Sequence, residues 1–337
     1  MIRIAILGCG RIGQMHAANV ARHPRTELAM VYDIRPEVAQ AVAQREGVRA
    51  VETAREIFVA TEVDAVLIAT STATHAEYIE RAVAADKPVF CEKPIDLDLE
   101  RVNACVKAVA GASVPIQLGF NRRYDPGHSA TRAAALAGDI GPLHQVIITS
   151  RDPELPPRAL LQAAGGLFRD MTIHDFDLAR FMLNEEPTEV FAFANALIDP
   201  ALGAALNEVD TAMFLLRTAS GVQCHINNSR TAVYGYDQRV ELLGASGMLV
   251  SGNRSRHAMR HYGARGVERA APYLFFFAER YGEAFMASLD GFVACIEDGA
   301  APLAGVEDGR RALILAEAAY RSMHERRLVR VSEISPD

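Results

Sequence analysis

Chemistry is most readily read from three places in this chain: a lysine in Cys91-Glu92-Lys93-Pro94, an aspartate and a histidine four residues apart at Asp170 and His174, and a glycine loop, Gly8-Cys9-Gly10-Arg11-Ile12-Gly13. A carboxylate one helical turn from an imidazole can orient the ring and raise its basicity, which makes a usable general base near neutral pH. At helical spacing Asp170, His174 and Asp177 (i, i+4, i+7) share one face. The neighbours Met171, Ile173, Phe176, Leu178, Phe181 and Met182 make the segment apolar nearly all round. A helix of that kind is usually buried, and buried charge needs a partner or a task. Three readings stand: a general base, a satisfied core histidine, or a metal ligand. For a metal, Asp170, His174, Asp175 and Asp177 supply ligand atoms, but Asp175 points about 100° away on a helix. No separate His/Cys cluster completes a site, so no metal is expected.

Lys93 falls at the carboxyl end of an apolar run, the edge of an open α/β sheet where ligands bind. A lysine there can donate to a substrate oxygen and stabilise developing alkoxide charge. The competing reading is a solvated Lys–Glu surface pair. The glycine loop follows an apolar strand and opens a helix, the context that turns G-x-G-x-x-G into a dinucleotide motif. Gly8 permits the tight turn, Gly10 lets a pyrophosphate approach the backbone, and Gly13 allows close helix–sheet packing. The helix N-terminus behind them, at Arg11 and Ile12, faces the negative charge. Asp33 ends the next strand, twenty positions after Gly13, where a carboxylate accepts from the adenosine ribose hydroxyls. Its charge repels a 2′-phosphate, which favours NAD over NADP; Arg35, two residues on, can soften that preference.

These residues need a scaffold, and its elements alternate. Ile2–Leu7, Glu27–Tyr32, Ala65–Ala69, Val89–Cys91 and Ile116–Leu118 are rich in Ile, Val and Leu, as strands buried on both faces are. Gln14–Arg22, Pro36–Arg45, His75–Ala84 and Leu99–Ala110 read as helices between them, which predicts a parallel sheet with right-handed crossovers. After about residue 120 the rhythm changes. A helix at Pro126–Leu136 precedes a strand at Leu143–Ser150, a Pro-rich loop at Asp152–Arg158 and a helix from Asp170 to about Leu183. Thr188–Ala196, Thr211–Thr218, Val222–Thr231 and Val240–Leu243 read as a mainly antiparallel meander, and Ala278–Glu297 and Val306–Glu325 as closing helices. The expectation is a nucleotide domain over 1–120 and an α+β domain over 121–337, with a cleft between them.

Composition narrows the class. The 337 residues are enough for two domains, and half of them are hydrophobic, as in an ordinary globular protein. A net charge of -7 gives no general attraction to nucleic acid or anionic lipid. The cluster Arg254, Arg256, His257, Arg260, His261, Arg265 and Arg269 lacks the aromatics a nucleic-acid surface needs and reads as a solvated or subunit-contacting loop. No apolar run approaches a membrane span, and no secretory leader is expected. Five scattered cysteines, with no CxxC pair, fit a reduced, cytoplasmic setting.

Taken together, the Gly8–Gly13 loop, Glu92-Lys93-Pro94, Gly119-Phe120-Asn121-Arg122-Arg123-Tyr124-Asp125, Ser150-Arg151-Asp152-Pro153, Gly165-Gly166-x-Phe168-x-Asp170-Met171-x-Ile173-His174-Asp175 and Tyr234-Gly235-Tyr236-Asp237 resemble the Gfo/Idh/MocA oxidoreductase family. Within it they are similar to its inositol 2-dehydrogenase branch, and the resemblance runs over essentially the whole chain. It implies a Rossmann domain joined to an α+β domain whose open, mainly antiparallel sheet pairs subunits, commonly into tetramers. It implies oxidation of a cyclic polyol hydroxyl with NAD, myo-inositol first, with another inositol isomer or an aldose as the alternative. A non-catalytic nucleotide-binding sensor is the alternative of another class; intact Lys93, Asp170 and His174 argue against it. The implied catalytic trio is Lys93, Asp170 and His174. The implied cofactor contacts add Thr70, Ser71, His75 and Glu92, together with Lys93, to Gly8, Gly10, Arg11, Ile12, Gly13, Asp33 and Arg35. Asn121, Arg122, Arg151, Asp177 and Tyr236 lie where the family lines its polyol pocket.

Overall fold

The computed structural model describes residues 1–264 and 266–335 and divides them into two compact units, each with its own sheet. The first takes Met1–Asn121 and Phe285–Leu313, the second Arg122–Ala284 and the chain from Ile314 onward. The expectation that residues 121–337 form the second domain therefore meets a difference: Asn121 and a late segment belong to the first unit.

In the first unit the elements are β1 (Ile2–Leu7), α1 (Arg11–Arg22), β2 (Thr26–Tyr32), α2 (Pro36–Glu46), β3 (Arg49–Ala50), α3 (Ala54–Val59), β4 (Ala65–Ile68), α4 (His75–Ala84), β5 (Val89–Cys91), α5 (Leu99–Ala108) and β6 (Ile116–Leu118). The strands pair parallel in the order β3-β2-β1-β4-β5-β6, the doubly wound arrangement of a dinucleotide fold. Ile4 and Ile6 of β1, Leu67 of β4 and Phe90 of β5 are buried together with Val20 of α1. β3 and α3 were missed, β3 because two residues carry no periodicity. α3 does carry a signal, a reciprocal capping box between Thr53 and Glu56.

The second unit contains α6 (Pro126–Leu136), β7 (Leu143–Arg151), α7 (Arg158–Ala163), α8 (Leu167–Asp170), α9 (Thr172–Leu183), β8 (Pro187–Asn195), α10 (Pro200–Leu206), β9 (Thr211–Thr218), β10 (Gln223–Ser229), β11 (Asp237–Gly244), β12 (Met248–Ser251), β13 (Arg260–Gly263), β14 (Gly266–Ala270) and α11 (Phe277–Arg280). The chain then forms α12 (Gly282–Glu297), α13 (Val306–Glu325) and β15 (Val329–Arg330). From α12, Leu289, Phe292 and Val293 pack into the core of the first unit; α13 divides between the units after Leu313. The closing helix expected as one piece from Ala278 is interrupted at Tyr281.

The second sheet has seven strands in the order β12-β11-β7-β10-β9-β8-β15, antiparallel except where β7 pairs β10. One face is covered by α9, which packs on β7 and β10. The other is open: β9 alternates buried and exposed residues, with Met213 and Leu215 outward beside Phe193 of β8. The basic stretch expected as a loop contains the β13–β14 hairpin, in which Arg260 pairs with Glu268, while Arg254 reaches Glu283. Arg265 of that stretch lies outside the described residues. Among the described residues no helix is long and apolar enough to cross a membrane.

Candidate active site

In the first unit the sheet order reverses between β1 and β4, and the residues leaving those two strands form the crevice. Gly8 leaves β1 with φ of 94°, and a Cβ on it would come within 2.4 Å of Ala69 O beyond β4. A Cβ on Gly13 would fall 1.8 Å from Gly8 O, so α1 can pack against the loop only with glycine there. A Cβ on Gly10 would meet nothing within 4 Å, and no side chain caps α1 at that residue. Open space over an uncapped helix N-terminus suits a pyrophosphate. Asp33, at the end of β2, is held in place by two backbone donors: Cys9 N–H to Oδ2 at 2.8 Å and Arg35 N–H to Oδ1 at 3.0 Å. The Arg35 side chain, largely exposed, approaches the same carboxylate at 3.6 Å. The cradle fits NAD, and NAD is the cofactor of this domain.

An expected result follows for Asp33→Ser. Losing one charge near a 2′-phosphate should shift the NADP/NAD ratio of kcat/KM roughly tenfold or more towards NADP, about 1.4 kcal/mol. Steady-state kinetics with both cofactors checks it; a wild type that used both equally would remove the role given to Asp33.

At the ends of β4 and β5, the Thr74 hydroxyl lies 2.7 Å from Thr70 Oγ1 and 2.9 Å from Ser71 O. His75 is buried, with Nδ1 2.7 Å from Pro94 O and Nε2 3.1 Å from Thr70 O. Both ring nitrogens thus face backbone oxygens, whereas a cofactor contact was expected of His75. Glu92 Oε1 stands 2.7 Å from His16 Nε2. Lys93, next to it, is half-buried.

In the second unit the expected single helix is two. α8 ends at Asp170 and α9 begins at Thr172, with Met171 between them at φ −92°, ψ −56°. His174 N–H donates to Met171 O at 3.2 Å, a three-residue step, so the turn joining Asp170 to His174 is tighter than the ideal helix assumed. The acidic residues here are taken up by arginines. Arg122 pairs with Asp175 in a fully buried contact, and Asn228 Nδ2 donates to the other Asp175 oxygen at 3.0 Å. Arg123 grips Asp177 with two bonds, Nε to Oδ2 at 2.8 Å and Nη2 to Oδ1 at 2.5 Å. Arg230 Nη2 donates to Asp170 Oδ2 at 3.2 Å. Of the twelve residues in α9, eleven are buried and His174 alone keeps part of its surface open.

The sequence reading missed two residues that this arrangement adds. Arg230, itself 1% exposed, also approaches Asp152 Oδ2 at 3.5 Å and so bridges two carboxylates. Burial lifts the Asp152 carboxyl to about 6; the charge of Asp170 adds to that push and Arg230 opposes it. Arg151 was expected in the pocket, but strand alternation turns it away. Ser150 and Gln238 are paired in register and bond each other on the α9 face, where Ser150 also accepts from Arg122 at 3.2 Å. Arg151 therefore points to the opposite face, where it donates to Asn227 Oδ1 at 2.8 Å and Tyr234 OH at 2.8 Å. Asp152, one residue on, returns to the face of Asp170. That period of two was the available signal. Arg122 and Asp177, also expected to meet substrate, are buried in their ion pairs, and Asn121 is buried too. Tyr236 is buried on the α9 side, and desolvation pushes its phenol well above the ordinary value, so it is a neutral donor.

Residues 2–120 match the model of an oxidoreductase family with an NAD-binding Rossmann fold, and residues 128–250 match the GFO/IDH/MocA C-terminal domain. The chain is 46% identical over 331 residues to an inositol 2-dehydrogenase of Rhizobium meliloti (strain 1021), covering 98% of this chain and 99% of the relative. Among solved structures, it resembles a myo-inositol dehydrogenase from Corynebacterium glutamicum ATCC 13032 with a TM-score of 0.94 at 41% identity, covering 98% of each chain. It also resembles a scyllo-inositol dehydrogenase from Lactobacillus casei with bound cofactor NAD(H) and scyllo-inositol, TM-score 0.91 at 28% identity, covering 98% of this chain and 99% of that one.

Proposed function

This chain belongs to the Gfo/Idh/MocA family of oxidoreductases, and from that premise we propose that it oxidises the 2-hydroxyl of myo-inositol to the 2-ketone with NAD. The observation that carries the reading is His174: in a helix otherwise buried, with the carboxylates around it engaged by arginines, this one histidine keeps part of its surface open. His174 takes the hydroxyl proton and passes it to water. Asp170, fixed by Arg230, holds the negative charge that supports the imidazolium. Lys93 donates to the reacting oxygen and stabilises its developing charge. Bound NAD supplies the acceptor for the hydride that leaves the carbon. Asp152 and Tyr236 are polar groups on the same side of the sheet, and we assign them to the remaining hydroxyls. A site built to pair hydroxyls leaves its own polar groups unsatisfied with a simple alcohol, and discriminates on that ground.

Initial rates with NAD across myo-inositol, scyllo-inositol, several aldoses and 2-propanol test this. Turnover should be fastest on myo-inositol and lower by about 10⁴ or more on 2-propanol. Equal rates on 2-propanol, or none on any cyclic polyol, would refute the reading; a preference for scyllo-inositol or an aldose would keep the chemistry and replace the substrate.

The proposal extends to assembly: two copies pair through the open sheet face, in a tetramer. It is supported by Phe193 and Met213, neighbours in register, and by Leu215 beside Phe191, which put apolar side chains outward on adjacent strands. Leu215→Glu with Met213→Glu should lower the mass measured by light scattering from that of the tetramer to that of a dimer or monomer. An unchanged mass would place the interface elsewhere. The compartment proposed is the cytoplasm, where the five buried thiols stay reduced.

A further inference from the structure

Two histidines outside the proton-transfer scheme lie against the turn that carries Lys93. His16, in the second turn of α1, is buried, and its Nε2 stands 2.7 Å from Glu92 Oε1. Its ring meets Phe90 and Phe285 edge-on, with centroids 5.3 and 5.8 Å away, so the imidazole has little room to turn. Glu92 is confined from other directions as well. Its N–H donates to Ile68 O at 2.9 Å, and a Cβ at residue 119 would approach its Oε2 to 2.7 Å, so Gly119 leaves the space the carboxylate occupies.

His75 approaches the other side of the same turn from α4. A carbonyl oxygen only accepts, so the 2.7 Å contact fixes the proton on Nδ1 as a donor to Pro94 O. Burial holds the ring below the usual histidine range, although both carbonyl oxygens pull the other way. The residue before Lys93 and the residue after it are each tied to a buried imidazole, and the two imidazoles come from different helices.

We propose that His16 and His75 are positioning residues that clamp the Glu92-Lys93-Pro94 turn and thereby set where the Lys93 ammonium stands. The proposal rests on the reading that Lys93 serves the reacting hydroxyl. A lysine side chain is long and flexible, and its reach is defined only if its backbone is. A misplacement of the order of 1 Å can cost about 10²-fold in rate. His16 ties that backbone to the helix whose N-terminus meets the cofactor phosphates.

The variants are His16→Leu and His75→Leu, each beside a version that keeps a donor near the original nitrogen, His16→Gln and His75→Asn. The chain has three lysines, Lys87, Lys93 and Lys107, so ¹³C-dimethylated protein shows the Lys93 resonance among few others, assigned by its loss in Lys93→Met. Both leucine variants should shift the Lys93 resonance, leave those of Lys87 and Lys107 in place, and lower kcat roughly 10–100-fold. The Gln and Asn versions should restore most of both. Added to Lys93→Met, either leucine change should cost less than about twofold more, because the group it positions is gone. Folded leucine variants with an unmoved Lys93 resonance, or losses that multiply in full on the Lys93→Met background, would overturn the clamp. Should a leucine variant fail to fold, Gly119→Ala crowds the same carboxylate from the opposite side and must displace the same resonance for the proposal to stand. A wild type without turnover on polyols would defeat the proposed function alone, since the resonance still decides the clamp.

Discussion

His174→Ala is expected to lower kcat by about 10²–10⁴-fold, the contribution a positioned general base makes. An alkoxide is too basic to form unaided at neutral pH, so hydride cannot leave the carbon until the hydroxyl proton has somewhere to go. The ion pairs around α9 leave few groups for that task. Asp175 is occupied by Arg122, and Asp177 by Arg123, while Asp170 meets Arg230. NADH affinity, measured by fluorescence titration, should stay near that of the wild type, because the cofactor cradle is built in the first unit. Asp170→Asn should also slow turnover and move the basic requirement of the pH–rate profile, since the charge supporting His174 is lost. A folded His174→Ala protein with near-normal kcat would make this a packing histidine after all.

Arg122→Met is expected to destabilise the second unit by about 3–5 kcal/mol, the usual cost of stranding one partner of a buried ion pair. Asp175 has no exposed surface, and the neutral donors beside it, Asn228 and Ser150, do not replace the missing cation. Burial already raises the Asp175 carboxyl above its ordinary value while Arg122 pulls it down, so the variant must raise it further. The sign follows from linkage. A carboxyl whose folded pKa exceeds its unfolded one binds more protons in the fold, so its contribution to stability falls as pH rises. The deficit relative to wild type should therefore shrink as pH is lowered from neutrality towards the ordinary aspartate value of about 3.9. Denaturant midpoints at several pH values check this, and Arg122→Met with Asp175→Leu should recover much of the loss. A single variant as stable as wild type at neutral pH would show that the pair contributes nothing.

How much of this was legible in the residues depends on the range of each signal. The first unit was readable because its strands are short apolar runs and its loop is a local motif: β1, β5 and β6 have the expected bounds, and α4 begins and ends where its pattern does. Asp33 followed from its distance to Gly13. The return of α12 to the first unit was not legible, because an apolar helical face does not state which core it will enter. His174 stood out, but the pairing of the carboxylates around it did not. Arg122 and Asp177 read as substrate groups, since nothing local shows that Asp175 and Arg123, each some fifty positions away, neutralise them. Arg151 came from the family resemblance, not from the strand; the alternation, carried two residues past Ser150, puts Asp152 on the α9 face. Arg230 lies one residue past β10 and needed the register of three strands to be placed. The contact of His16 with Glu92 joins residues 76 apart and leaves no local trace.

The central claim is that hydride leaves the carbon bearing the 2-hydroxyl of myo-inositol and reaches NAD. The most direct measurement is turnover of myo-inositol deuterated at that carbon, with the reduced cofactor recovered and read by NMR. The expected result is one deuterium at C4 of the nicotinamide ring for each ketone formed. Reduced cofactor without deuterium, or no reduced cofactor at all, would contradict it.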